Sequence, residues 1–323
     1  MTCMPAAVSR RRLPVLLAGL LAACAAPPSA VPWREVADGV WVWPPGVDGA
    51  RDGPVAPVTA VIDAGEAIVI DPGHSHAQGL RVRESLRNRF GARVVGVVNT
   101  HAHAGRVLGN SAFAGGPWIA ASTPAMAAMR RRCEACLREM VARRGEAAMA
   151  GTRVVWPNRA LVGGDVLRVG RRTLHVLEVV QAHSEGDLLL WDARARVLWA
   201  GDVVDGTGVP ELVQGSLRGW LQALDGMAGW PARHVVGTAW WPTGGAVMHT
   251  AAFAATRHYL RALHDAVWRA LEEGRLPHEA EAGPVPGDAA RRERHALNVQ
   301  HAWRELEPLW MDAHASAAQD VGW

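Results

Sequence analysis

The feature that most constrains this chain is the run from Val94 to Asn110. A short apolar, β-branched segment stops at Asn99-Thr100 and is followed at once by His101-Ala102-His103. Such a segment reads as a buried strand, and an apolar helical pattern resumes at Val107. A strand end that feeds a loop and then a helix is where open α/β sheets place their ligands. Two imidazoles two residues apart on that loop can aim at one point, which suits zinc and its neighbours. Two solvated loop histidines also fit the spacing, so the pair alone leaves both readings open.

The flanking sequence alternates between β-rich and helical stretches. Val40–Trp43 reads as a strand, and Val58–Ile62 and Ala67–Ile70 as a hairpin through Asp63-Ala64-Gly65. Asp71 and a tight turn close the second strand, and His74 and His76 read there as solvated loop residues. Gln78 to Phe90 reads as a basic amphipathic helix. Thr123-Pro124 opens another, with Thr as N-cap and Pro as first helical residue. Strands are expected over Leu174–Val180, Leu188–Trp191 and Arg196–Val204, and from His234 towards Trp240. Helices are expected over Leu217–Ala228, Thr250–Glu273 and Ala289–Leu309. Trp43, Trp240 and Trp241 are candidates for an aromatic pocket, while most tryptophans read as core.

The N-terminus reads as a processing segment. Arg10, Arg11 and Arg12 precede an apolar stretch from Leu13 to Ala23, which is too short to span a bilayer and is expected to be a signal peptide, residues 1–23. Leu21-Ala22-Ala23-Cys24 has the form of a bacterial lipobox, so Cys24 is the expected lipidation site. Residues 24–32 are then a tether, and the protein is expected to face the periplasm on a lipid anchor. Of the 34 basic residues, the three arginines leave with that segment, so the remainder balances 31 basic against 31 acidic. That balance gives no reason to expect a nucleic-acid partner.

Cys133 and Cys136 form a Cys-x-x-Cys pair without a second pair to complete a four-thiolate zinc site. A redox role would want the pair at a helix start, and this helix begins ten residues earlier, so a structural pair, oxidised or free, is favoured.

Thr100-His101-Ala102-His103 resembles the metal motif of the metallo-β-lactamase-fold hydrolases, which runs Thr-His-x-His-x-Asp-His after a strand. His183, Gly186 and Asp187 match that family's Gly-His-x-x-Gly-Asp turn, and Asp202 takes the place of its metal-bridging aspartate. Three positions depart from the pattern: Gly105 stands for Asp, Arg106 for His and Thr238 for His. Val107-Leu108-Gly109-Asn110-Ser111-Ala112-Phe113 and the tail around Leu297–Glu307 resemble one subgroup, the quinoprotein relay system zinc metallohydrolases, exported proteins associated with quinoprotein dehydrogenases.

The resemblance implies an α+β fold, an αββα sandwich with C-terminal helices, over residues 33–323. It implies one metal set kept whole, His101, His103 and His183, able to hold zinc with a metal-bound water as nucleophile. Asp202 is then a fourth ligand or acceptor for that water, and so the catalytic candidate. The second set is degenerate at Gly105, Arg106 and Thr238. Arg106 is left to occupy the vacated place, to pair with Asp202, or to bind an anionic group. The expected function is a one-zinc hydrolase of an unnamed small molecule. The alternative is an inactive lipoprotein that binds a ligand or a periplasmic quinoprotein-pathway partner.

Overall fold

The computed structural model describes residues 31–45, 56–177, 181–206, 208–238, 240–241, 246–280 and 288–320, with the backbone alone at 240–241, 246–252 and 316–320. The signal segment, Cys24 and most of the tether lie outside these residues.

The first half builds one sheet. Strands β1 (Arg34–Ala37), β2 (Val40–Trp43), β3 (Val58–Asp63) and β4 (Glu66–Ile70) pair antiparallel in sequence order. The β3–β4 turn has Ala64 and Gly65 at φ of 49° and 76°, the positive pair a two-residue hairpin needs to follow strand twist. Helix α1 (His76–Phe90) crosses to β5 (Arg93–Val98), parallel to β4. Ser75 caps its start and Gly91, left-handed, ends it. A four-residue helix α2 (Ala104–Val107) and a 3-10 segment, Leu108–Phe113, lead to β6 (Trp118–Ser122). Helix α3 (Thr123–Arg144) then leads to β7 (Arg159–Leu161), which closes the seven-stranded sheet.

The second half builds a six-stranded sheet from β8 (Val166–Val169), β9 (Arg172–Val176), β10 (Leu190–Asp192) and β11 (Val197–Trp199). After α4 (Leu217–Met227) come β12 (His234–Val236) and β13 (Trp240–Trp241). All its ladders are antiparallel except β11 with β12. Two long helices, α5 (Ala246–Glu272) and α6 (Ala289–Asp320), complete the chain.

Alternation along the strands sorts side chains into three layers of core. Val61, Ile68, Ile70 and Val98 face Leu174, Leu190, Val197, Trp199 and Val236 between the sheets. Their neighbours Ala60, Ala67, Val69 and Val97 turn outward against Val82 and Leu86 of α1. On the far side Leu198 and Val235 meet Trp220 and Leu224 of α4, Leu260 and Leu263 of α5, and Val299 and Trp303 of α6. The order helix, sheet, sheet, helix is the expected αββα sandwich, and it follows from the period-two pattern.

Four local expectations are corrected. The helix read as resuming at Val107 instead gives way to 3-10 geometry. Asn110 turns inward there and exchanges amide hydrogen bonds with Asn99 at 3.0 and 2.8 Å. The cap of α3 is Ser122 rather than Thr123: its Oγ accepts from Ala125 N at 3.1 Å and donates to Gly186 O at 2.7 Å. His74 is buried, not solvated, because the turn after β4 folds beneath the 3-10 segment, whose Gly109 N donates to Gly73 O. His76 is the partly exposed first residue of α1. Strand β9 ends at Val176, and the rest of its expected run beyond Leu177 lies outside the described residues.

Arg172 locks the two sheets together. From β9 its Nη1 donates to Asp192 Oδ2 on β10 at 2.7 Å, and its Nη2 to the carbonyl of Asp38 in the β1–β2 turn at 2.6 Å. Both members of the pair are buried. Arg172→Met would leave Asp192 buried without its counter-charge, a change that costs about 3–5 kcal/mol. Equilibrium urea unfolding should show a loss of that size.

Candidate metal centre

The centre is assembled where β4 and β5 of one sheet and β11 of the other send their following loops together. Asp71, in the residue after β4, has a left-handed backbone at φ 54°. Its carboxylate reaches across to the loop after β5: Oδ1 accepts from Thr100 N at 2.8 Å, and Oδ2 accepts from Thr100 Oγ1 at 2.8 Å and from Arg106 Nη1 at 2.5 Å. This one side chain fixes both ends of the His-x-His loop.

His183 sits on a turn held by Asp187, whose carboxylate accepts from Ala182 N, Ser184 N and Ser184 Oγ. Burial pushes the Asp187 carboxyl up to about 6. Asp202 stands on the 3-10 turn Gly201–Val203 that follows β11.

These elements bring His101, His103, His183 and Asp202 together, with one donor atom from each lying within 4.8 Å of the others. The three rings are mutually near-perpendicular, at 79°, 82° and 88°, with centroids 4.7 to 4.9 Å apart. His183 also packs edge-on against Trp220.

The outer hydrogen bonds settle which nitrogens face inward. His103 Nε2 meets Gln214 Oε1 at 3.1 Å, and His183 Nδ1 meets the carbonyl of Glu211 at 2.9 Å. Both oxygens only accept, so these nitrogens carry the proton. Thr100 spends its hydroxyl proton on Asp71, so its oxygen accepts from His101 Nδ1 at 3.0 Å. Each ring therefore turns its other nitrogen to the centre, a bare lone pair on His103 and His183.

The two lone pairs, His103 Nδ1 and His183 Nε2, lie 3.1 Å apart, and the buried His101 Nε2 faces the Asp202 carboxylate beside them. Bare lone pairs at that distance repel unless a cation lies between them. Four ligands about 2.0–2.1 Å from a tetrahedral zinc lie about 3.3 Å from one another. Asp202 Oδ2 is 3.2 Å from His101 Nε2 and 3.5 Å from His183 Nε2. The donor set fits zinc.

The electrostatics agree. Burial, then the His101 ring, lower His103 to about 4. Burial, then His103, hold His183 well below its ordinary value. Both imidazoles are thus neutral ligands at neutral pH. Burial alone would raise the Asp202 carboxyl, but Arg106 and His101 outweigh it and keep the group well below the carboxylate range.

Arg106, Thr238 and Gly105 mark the other side of the centre. The Arg106 guanidinium is buried between two carboxylates, with Nη1 on Asp71 and Nη2 on Asp202 Oδ1 in a very short contact. Thr238 Oγ1 donates to the same Asp202 oxygen at 3.2 Å. One oxygen of Asp202 thus serves Arg106 and Thr238 while the other faces the imidazoles. Gly105 lines a cleft of about 970 Å³ that opens beside His103, with Cys136, Glu139, Arg143, Glu211 and Gln214 on its walls.

Cys133 and Cys136 are free. Burial pushes Cys133 up to about 12 and raises Cys136, so neither is a ready thiolate. Trp43 is wholly buried in the core, and the side chains of Trp240 and Trp241 lie outside the described set. Gln214 and the Glu211 carbonyl, which fix two tautomers, carry no sequence signal: one is a lone amide, the other is backbone.

Comparison with known proteins bears on this geometry. The model of the metallo-beta-lactamase superfamily matches residues 52–240. A search of curated proteins finds no match. Among solved structures, the chain is similar to a beta-lactamase domain protein from Burkholderia ambifaria. That pair has 20% identity and a TM-score of 0.61, over 88% of this chain and 90% of the other. It is similar to a metallo-beta-lactamase from Pontibacter korlensis at 15% identity and a TM-score of 0.54, over 71% of this chain and 98% of the other. The inverting sec-alkylsulfatase Pisa1 from Pseudomonas sp. is matched at 16% identity and a TM-score of 0.65, over 84% of this chain but 49% of that longer one.

Metal content should respond to this shell. His103→Ala removes one of three imidazoles and is expected to reduce bound metal to background, read by elemental analysis after gel filtration. The metal-free protein should also lose stability in acid. Unfolded histidine takes up a proton near pH 6.5, whereas folded His103 resists to about 4. Its contribution is full above that window and lost as pH falls through it. Urea midpoints of chelated protein should drop across the window, and less steeply in His103→Gln.

Proposed function

This chain belongs to the metallo-beta-lactamase superfamily, whose members are metal-dependent hydrolases, and we propose that it is an exported hydrolase built on a single zinc. The observation that carries this reading is the asymmetry of the centre. Three imidazole nitrogens converge beside Asp202 Oδ2, while the guanidinium of Arg106 lies between Asp71 and Asp202 Oδ1. The ligands would be His101, His103 and His183, with Asp202 fourth or holding a water by hydrogen bond. Zinc there supplies a Lewis acid and, by lowering the pKa of water to about 7, a hydroxide nucleophile.

In this reading Gly105, Arg106 and Thr238 mark a lost second metal site. Charge supports it. Asp71, Asp202 and Arg106 together carry one net negative charge, which one divalent cation overcompensates by a single unit. A second would leave three uncompensated positive charges in a buried site, at steep desolvation cost.

The residues of the chain divide the remaining work. Asp71 and Thr100 hold the His-x-His loop and set the His101 tautomer. Gln214 sets that of His103. Arg106 and Thr238 orient the Asp202 carboxylate. The same ion pair blunts Asp202 as a proton acceptor, so turnover is slow. Substrate enters by the cleft beside His103. The subgroup reading, a quinoprotein relay zinc metallohydrolase, is supported by the Val107–Phe113 and Leu297–Glu307 sequences. The lipobox at Cys24 supports a lipid-anchored periplasmic protein.

The Arg106–Asp202 pair favours one other reading, a zinc-loaded but inactive binder of a ligand or periplasmic partner. The deciding measurement is zinc per chain, with hydrolysis of ester, lactam and alkyl-sulfate panels. The expected result is one zinc and slow hydrolysis that His103→Ala abolishes. Two tight zincs would overturn the one-metal account, and one zinc without hydrolysis on any panel would favour the binder. Fatty-acid labelling should be lost in Cys24→Ser, and label retained there would refute the anchor.

A further inference from the structure

The C-terminal helix carries a polar residue that the fold does not need for packing and that the centre has not yet used. Asn298 on α6 is fully buried in an otherwise apolar layer. Every hydrogen-bonding direction described for it points at a partner. Its Oδ1 accepts from Leu212 N at 3.0 Å, and its Nδ2 donates to Pro210 O at 2.6 Å and to Tyr259 Oη of α5 at 2.8 Å. Pro210 and Leu212 flank Glu211, the residue whose carbonyl receives the His183 Nδ1 proton at 2.9 Å.

Two turns further along the same helix, Glu305 holds the far end of that loop. Its carboxylate accepts from Ser216 Oγ, Leu217 N and Arg218 N at 2.7 to 3.0 Å. Gln214, the partner of His103 Nε2, lies between these two attachments. The loop also lies hard against the histidine turn. Ser216 N donates to Ala182 O at 2.9 Å, and a Cβ on Gly215 would stand 2.1 Å from that oxygen.

We infer that Asn298 is a positioning residue for the metal centre, acting through Glu211 on His183. The inference rests on the three-histidine metal reading above. The reasoning is geometric. The Glu211 carbonyl belongs to a loop segment outside helix and strand, and the N–H of its own peptide group, that of Leu212, donates to Asn298 Oδ1. The amide of Asn298 grips the carbonyl's own planar peptide group through Leu212 N and the preceding one through Pro210 O, which leaves the carbonyl one orientation. With the carbonyl so aimed, His183 keeps its proton on Nδ1 and its Nε2 lone pair inward. Released, the carbonyl turns away and the ring populates the other tautomer, which cannot ligate from Nε2. Loss of such outer-shell partners typically weakens metal binding about 10–100-fold.

The test compares zinc affinity, by chelator competition, in the wild type, Asn298→Ala, Gln214→Ala and Val299→Ala. Val299 is a buried neighbour on α6 whose truncation removes packing and none of these hydrogen bonds. Asn298→Ala should bind zinc about 10–100-fold more weakly, while Val299→Ala should bind as the wild type does. Gln214→Ala, which frees the His103 ring instead, should weaken zinc binding and leave the His183 tautomer unchanged. Nitrogen-15 NMR of the chelated wild type supplies a readout without metal and without a variant. It should show the His183 Nδ1–H tautomer, and Asn298→Ala should show a mixture. Unchanged zinc affinity in Asn298→Ala, an equal loss in Val299→Ala, or a His183 Nε2–H tautomer in the wild type would overturn the inference. A wild type with no measurable zinc affinity but the expected tautomers would instead sink the metal reading and leave the positioning intact.

Discussion

The structure turns on the carboxylate of Asp71. It leaves the end of one parallel strand, crosses to the next, and ties the backbone and hydroxyl of Thr100 and the guanidinium of Arg106 into one unit. Two consequences spread from that contact. The Thr100 oxygen is left as an acceptor, so the proton of His101 sits on Nδ1 and its other nitrogen faces the centre. The guanidinium is also held at the distance where it meets Asp202, arriving from the opposite sheet. The network is buried and charge-assisted, so losing one member would leave another's charge without its counterpart. It joins the loops of the two sheets at the centre, as Arg172 joins β9 to the β1–β2 turn.

The sequence made much of this visible, because the relevant signals are local. Strand β2 and the hairpin through Ala64-Gly65 were legible from alternation and turn chemistry, and the layered fold from the order of β-rich and helical stretches. His101, His103, His183 and Asp202 could be grouped because each matches a position in the motifs of the metallo-β-lactamase-fold hydrolases that the sequence resembles. The structure gathers those four. What could not be read depends on contacts distant in sequence. The Asn99–Asn110 amide pair that bends the post-motif segment into 3-10 geometry has no periodic signature. The burial of His74 reflects a turn lying under another segment. Of the three alternatives open to Arg106, only the coordinates distinguish pairing with two carboxylates from exposure to a ligand.

Outer-shell groups were the least legible of all. Gln214 is an isolated amide in a loop, and the Glu211 contribution is a carbonyl whose identity does not depend on its side chain. Their placement depends on helices nearly a hundred residues downstream. The C-terminal pair therefore does more than cover the second sheet: it transmits order to the loops above it through Asn298 and Glu305.

The guanidinium between Asp71 and Asp202 differs from a metal ion in one respect that matters outside the protein. It is covalently part of the chain and does not exchange with solution. A centre that must gather two ions fills with a dependence on free metal that approaches second order, and when metal is scarce it stalls half-assembled. With one cation supplied by translation, filling on the one-zinc reading becomes a single reversible event. Occupancy then follows free zinc along a simple hyperbola, without a threshold. Such a centre would lose function gradually, not abruptly, as its surroundings were depleted of metal.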